Sequence, residues 1–298
     1  MFKLQKERLD LDNPLGDGSF GEVFPYQKDP NDPADVEWAV KRIIARNTTE
    51  LFNCLPEIVL GFSCDHPCIV AGKGYFIEEC KGPRLFQVYL KIHRMKESLF
   101  KTFEDRKTNK NPFDEAEIIK YFYSIVCGLQ YLHDKRIYHG DIRHQNLLLD
   151  AENNLKIADI GLAKHVADED SYQTVIGIKG TPAYTAPEVL REKVKKLELA
   201  KADIWSLGVV VLELCVFQFR LFKSLSNLDD LRKKVEQELK SLEGKYHHNL
   251  ISLIEKMLSI DPDNRPSLAK IKDEIEKNFL QILVYLHLRW ELIFLSLG

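Results

Sequence analysis

Tyr138-His139-Gly140-Asp141-Ile142-Arg143-His144-Gln145-Asn146, followed by Lys156-Ile157-Ala158-Asp159-Ile160-Gly161, is the stretch whose reading decides the fold. The first run is a loop behind a long helical segment. The second is a short strand that ends on a carboxylate. Asp159 and Asn146 offer the oxygen ligands that hard cations take, so together they suit magnesium held on phosphate oxygens. Asp141 is then left to accept the proton of an attacking hydroxyl. Taken singly, each aspartate has an ordinary alternative as a turn residue or cap.

Upstream, Leu15-Gly16-Asp17-Gly18-Ser19-Phe20-Gly21-Glu22-Val23 sets three glycines where a backbone can approach phosphates closely. A run of this spacing that opens a helix would suggest dinucleotide binding. Here Val23 leads into strand and turn, which argues against that fold. Ala39-Val40-Lys41 ends an apolar strand on an ammonium that can be aimed at phosphate, and Glu57, on the next helix, is its candidate counter-ion. Alone, these are a glycine-rich hairpin, a solvated lysine and a surface glutamate. In this order and company, coincidence is a poor account of them.

The surrounding chain reads as strands first and helices later. A strand begins at 36–40, a Pro- and Asp-rich turn fills 25–33, a strand pair covers 74–79 and 85–92, and helical spacing spans 48–64. After Pro112 the period changes. Residues 114–134 form an amphipathic helix with Ile118, Tyr121, Phe122, Ile125, Leu129 and Leu132 on one face and Asp114 as its cap. Further helices are expected over 200–216, 227–242, 249–258 and 267–279. The fold class is therefore α+β, with a small antiparallel-sheet lobe over about 1–95, a larger helical lobe over about 96–279, and a cleft near 94–98.

The 298 residues are 45% hydrophobic and 29% charged, as in a soluble globular chain, and the net charge of −3 does not suggest a nucleic-acid partner. Six cysteines without a C-x-x-C pair read as reduced thiols, and no secretory leader is expected, so the compartment expected is the cytoplasm. The apolar tail over 280–298 is long enough for a bilayer. Arg289 and Glu291 near its middle would each cost roughly 2.5 to 3.5 kcal/mol there, so a docked helix or an unpartnered terminus is favoured over a membrane anchor.

These motifs, in this order over residues 9–279, resemble the protein kinase family. Gly16, Gly18 and Gly21 match its glycine-rich loop, Lys41 its strand lysine, and Glu57 the helix glutamate that pairs with that lysine. Asp141 and Asn146 match the catalytic base and a metal ligand, and Asp159-Ile160-Gly161 matches the D-F-G position. Ala186-Pro187-Glu188 is unchanged, and Arg265 looks like the arginine that pairs with its glutamate. The resemblance implies bilobal architecture, ATP and Mg²⁺ as cofactors, and protein substrates. It implies an adenine site under Leu15, Val23 and Ala39 and above Leu148, with Ile92 guarding the back pocket and backbone groups of Arg94 and Met95 as the hinge. Arg143 stands where Ser/Thr kinases usually carry lysine, and could neutralise the γ-phosphate with a fork in place of a point charge. Gly180-Thr181-Pro182-Ala183-Tyr184 is similar to the substrate loop of Ser/Thr kinases.

Some positions depart from that pattern. Gly140 replaces the arginine that usually grips an activation-loop phosphate, so activity is expected not to need one. Ile160 replaces phenylalanine, and Gly61 and Gly72 fall where apolar residues would link the lobes. Pro56 interrupts the Glu57 helix at a cost of about 3 kcal/mol, which suggests a helix that an activating or scaffolding protein settles. The alternative to an active Ser/Thr kinase is a pseudokinase scaffold with weak or no phosphotransfer.

Overall fold

A computed structural model describes residues 8–18, 21–27, 38–80, 85–160, 164–165, 172–174, 182–190, 193–222, 227–279, 281–282 and 284. The chain divides into two compact units, Met1–Glu97 with Leu148–Ala163, and Ser98–Leu147 with Lys164–Gly298.

The first unit is built on an antiparallel sheet. Its strands are β1 (Gly16–Gly18), β2 (Gly21–Tyr26), β3 (Trp38–Ala45), β4 (Gly72–Cys80) and β5 (Leu85–His93), in the order β1-β2-β3-β5-β4. Side chains alternate faces along a strand. Val40 therefore joins Phe24, Tyr26, Tyr89 and Leu9 on one face. Ile43 joins Val88 and Leu90 on the other, beneath Leu51 and Cys54 of α1 (Thr48–Ser63). Ala39 and Lys41 share the parity of Ile43, so they lie on the α1 side of the central strand.

Helix α1 starts on a reciprocal cap: Asn47 Oδ1 accepts the Glu50 N–H and Glu50 Oε2 accepts the Arg46 N–H, each at 2.8 Å. It then runs unbroken past Pro56, so the proline does not divide it into two helices as its type suggests. The hydrogen bond Pro56 cannot donate is offset by packing of Leu51 and Cys54 onto the sheet. The β4–β5 register slips between Gly72 and Gly74, and Gly72 sits at that bulge opposite Ile92.

The second unit is mainly helical: α2 (Leu99–Thr108), α3 (Glu115–Asp134), α4 (Lys196–Val216), α5 (Leu228–Leu242), α6 (His248–Met257) and α7 (Leu268–Asn278). Asp114 and Glu117 form a capping box at the start of α3. Asn227 and Ser267 cap α5 and α7 by accepting from Asp230 and Lys270 backbone N–H groups. Ile204, Trp205, Leu207, Val209, Val210, Val211 and Leu212 are all buried in α4, since a helix apolar all round must be surrounded. Helix α2 was not legible from periodicity. It buries only Leu99 and Phe103, too narrow a stripe to stand out among charged neighbours. The strands-then-helices α+β arrangement is the one expected.

Candidate active site

In the first unit, Lys41 is buried in mid-strand, held between Val23 of β2 and Leu90 of β5. Its Nζ meets Asp159 Oδ1 at 2.8 Å, with the two side chains 9% and 12% exposed. Asp159 sits at φ +63°, in the left-handed region that non-glycine residues seldom occupy. The strand Leu155–Ile157 leading to it is tied along one edge to the segment Cys68–Val70: Ile157 N donates to Cys68 O and Val70 N to Ile157 O, each at 2.8 Å. Ile160, in place of phenylalanine, is buried, so the position keeps its apolar packing.

Ala39 is buried and lies directly across from Ile92, while Val23 and Leu148 are half-buried. Arg94 and Met95 follow β5 as irregular chain. Lys96 N donates to Leu149 O at 2.8 Å, which holds the segment of Leu148 beside that turn.

The glycines divide by role. Gly21 has φ +147°, and a Cβ there would stand 2.2 Å from Arg42 O of the neighbouring strand, so the sheet itself requires that glycine. A Cβ on Gly16 would meet nothing within 4 Å, which leaves open space on the loop. Leu15 beside it is exposed.

In the second unit the loop of Asp141 closes on itself. Asn146 Nδ2 donates to both the backbone oxygen and Oδ2 of Asp141 at 2.8 Å, and Arg143 Nε donates to the same Oδ2 at 3.1 Å. With its amide nitrogen so engaged, Asn146 has its carbonyl oxygen left for a ligand. Asp203 of α4 braces the loop from below. Its carboxylate accepts the His139 N–H at 2.9 Å, the Gly140 N–H at 2.8 Å, and lies 2.8 Å from His133 Nε2. Burial pushes the Asp203 carboxyl up, but the His133 hydrogen bond and the positive field of His133 and His139 hold it below its usual value. Gly140 has φ +73°, so a glycine suits the place where the resemblance leads one to expect arginine.

Two further groupings complete this unit. Arg265 and Glu188 pair as the sequence suggests. His144, Tyr184 and Glu213 meet in the core, a cluster that sequence reading missed. The one signal available was a histidine placed between Arg143 and Gln145 in an otherwise assigned loop.

The structure thus unites Lys41 with Asp159 and, separately, Asp141 with Asn146 and Arg143. The Glu57 side chain, Gly161, Gly180 and Thr181 lie outside the described residues. In the first unit the buried ammonium of Lys41 is of a kind suited to phosphate and the Asp159 carboxylate is a hard ligand, while in the second unit the Asn146 amide oxygen is a hard ligand. Among the described residues no three His, Cys, Asp or Glu gather as a metal cluster would, and no helix is long and apolar enough to cross a membrane.

The chain belongs to the protein kinase domain family, whose model matches residues 9–275. It is similar to serine/threonine-protein kinase Nek11 of Mus musculus, 30% identical over 266 residues that cover 89% of this chain and 40% of that protein. It is also similar to CBL-interacting protein kinase 26 of Oryza sativa subsp. japonica, 30% identical over 278 residues, 89% of this chain and 51% of that protein. CBL-interacting serine/threonine-protein kinase 8 of Arabidopsis thaliana is 30% identical over 280 residues, 90% of this chain and 57% of that protein. The chain thus spans about two-fifths to three-fifths of the length of these relatives.

Proposed function

We propose that this chain is an ATP-dependent protein-serine/threonine kinase that transfers the γ-phosphate of ATP to hydroxyls of protein substrates. The observation that carries the reading is Asp141, buried and oriented by Asn146 and Arg143, in a chain of the protein kinase family. The names of the relatives support serine and threonine as acceptors.

Phosphoryl transfer asks a protein mainly for positioning and charge compensation. Gly16, Gly18 and Gly21 would cover the phosphates with backbone N–H groups, and Lys41 would hold the α- and β-phosphates, with Glu57 as its orienting partner. Val23, Ala39 and Leu148 would enclose the adenine, with Leu15 at the rim and Ile92 at the back, and Arg94 and Met95 would meet it through their backbones. Asp159 and Asn146 would hold Mg²⁺, which supplies charge neutralisation at the transferring phosphoryl group. Asp141 would orient the acceptor hydroxyl and take its proton, and Arg143 would offset negative charge beside it. A cytoplasmic place in signalling, and an activating or scaffolding protein that settles the Glu57 helix, complete the reading.

The test is transfer of label from radiolabelled ATP to generic protein substrates by wild type, Asp141→Asn and Lys41→Met, followed by phosphoamino-acid analysis. Labelled phosphoserine and phosphothreonine with wild type alone supports the reading. Equal signal from all three proteins, or mainly phosphotyrosine, overturns it.

A further inference from the structure

His144 is fully buried and has no part in the function described above. Its Nδ1 lies 3.2 Å from the Tyr184 hydroxyl and 3.4 Å from Glu213 Oε2. The Tyr184 hydroxyl donates to Glu213 Oε2 at 2.8 Å, and Glu213 Oε1 accepts the Leu221 N–H at 3.0 Å. Phe103 and Phe219 pack nearly perpendicular to the imidazole, with ring centroids at 5.7 and 4.8 Å. No described residue hydrogen-bonds Nε2.

Three segments of the second unit converge on this ring: the loop from Asp141 to Asn146, the turn Pro182–Tyr184 before Ala186-Pro187-Glu188, and helix α4. A count of protons orients the cluster. Tyr184 has one hydroxyl proton, and it goes to Glu213. With Glu213 ionised, the contact with His144 is completed by a proton on Nδ1, donated to the tyrosine oxygen. Nε2 becomes a bare lone pair in a wall of phenyl rings. A phenylalanine ring would fill the same space without the desolvation cost of Nε2. Packing alone therefore does not account for an imidazole here, whereas the directed hydrogen bond does.

We infer that His144 is a positioning residue: through Tyr184 and Glu213 it ties the loop carrying Asp141 and Asn146 to the turn before Ala186-Pro187-Glu188. The inference rests on the kinase reading for its effect on catalysis. A loop held only at Asp203 keeps Asp141 buried, and the second tie sets its angle. A tie of this kind matters because misplacement of a catalytic group by about 1 Å can cost about 100-fold in rate.

The test compares wild type with His144→Phe, His144→Asn, Tyr184→Phe and the double variant combining His144→Phe with Tyr184→Phe, in thermal melts and steady-state kinetics on casein. His144→Phe is expected to melt at or above wild type, yet to lose about tenfold in kcat with KM for ATP unchanged. His144→Asn, whose amide can donate in place of Nδ1, should recover most of that loss. Tyr184→Phe should match His144→Phe, and the double variant should lose no more than either single one. Wild-type kcat in His144→Phe, or losses that multiply in the double variant, overturns the inference. If His144→Phe does not fold, Tyr184→Phe decides alone: reduced kcat at unchanged melting supports it and wild-type kcat sinks it. An inactive wild type would remove the kinase reading instead. The tie then has its own readout, the backbone amide shifts of Asp141 and Asn146, which should move in Tyr184→Phe and whose constancy would overturn it.

Discussion

Arg265 places its two terminal nitrogens on the two carboxylate oxygens of Glu188, at 2.6 and 2.8 Å, with both side chains wholly buried. The guanidinium also donates from Nε to Ser259 O and from Nη1 to Lys201 O, each at 2.9 Å, and lies 4.9 Å from the centre of the Trp205 ring. Such a pair contributes little relative to a well-packed apolar substitute, but removing one member strands a buried charge. Arg265→Met is expected to lower unfolding free energy by about 3 to 5 kcal/mol in urea titration. Arg265→Lys should recover little, because a point charge cannot reproduce the two-pronged geometry. A loss near zero for Arg265→Met would mean that Glu188 finds another partner or a proton.

Lys41 and Asp159 invite a different substitution. Lys41→Met keeps the stem that packs in β3 and removes the ammonium. Phosphotransfer should fall by about 100-fold or more, as when a transition-state donor is deleted. Melting should fall as well, because the nearly buried Asp159 carboxylate loses its partner although methionine fills the space of the stem. Activity retained within a few-fold would show that the Lys41 charge is not used on phosphate.

Asp141→Asn should separate binding from chemistry. The amide oxygen can still accept from Asn146 Nδ2 and Arg143 Nε, so the loop is expected to persist. Without a carboxylate to take the hydroxyl proton, kcat should fall by about 10²- to 10⁴-fold. The affinity for ATP measured by calorimetry should stay within a few-fold of wild type.

His144 and Glu213 make opposite contributions to stability against pH. Burial pushes the His144 imidazole from 6.5 down to about 3, so its contribution is complete above pH 6.5 and is lost as pH falls toward 3. Burial pushes the Glu213 carboxyl from 4.5 up to about 7, so its contribution is complete below pH 4.5 and is lost as pH rises through 7. Between 4.5 and 6.5 the two slopes oppose each other. Relative to wild type, His144→Phe should therefore lose stability as pH rises from 4.5 to 7. Glu213→Gln should gain relative stability as pH rises from 4.5 to 7. Urea midpoints measured across this range check both signs, and parallel curves for all three proteins would contradict them.

Much of the site was legible because its residues are close in sequence. Asp141, Arg143 and Asn146 share one loop, so their spacing already put a carboxylate, a cation and an amide together. The cap Asp114 acts within one turn of its helix and was readable for the same reason, whereas Asn227 and Ser267, counted in the sequence as helical residues, prove to be caps. Other features carry meanings that neighbours assign. Gly21 has the form of a phosphate-loop glycine, yet the carbonyl of Arg42 forbids a side chain there. Gly140 reads as a missing arginine, while its backbone occupies a conformation in which glycine is at ease.

Sequence by itself determined the family and the succession of a sheet-rich part and a helical part, because these follow from local period and contiguous motifs. Tertiary structure alone decided that Lys41 meets Asp159 at 2.8 Å, and that His144 shares a buried hydrogen-bonded cluster with Tyr184 and Glu213. Those partners come from distant parts of the chain. Burial and neighbouring charge set a side chain's protonation and pairing, and neither is encoded in the spacing of residues along a strand or helix.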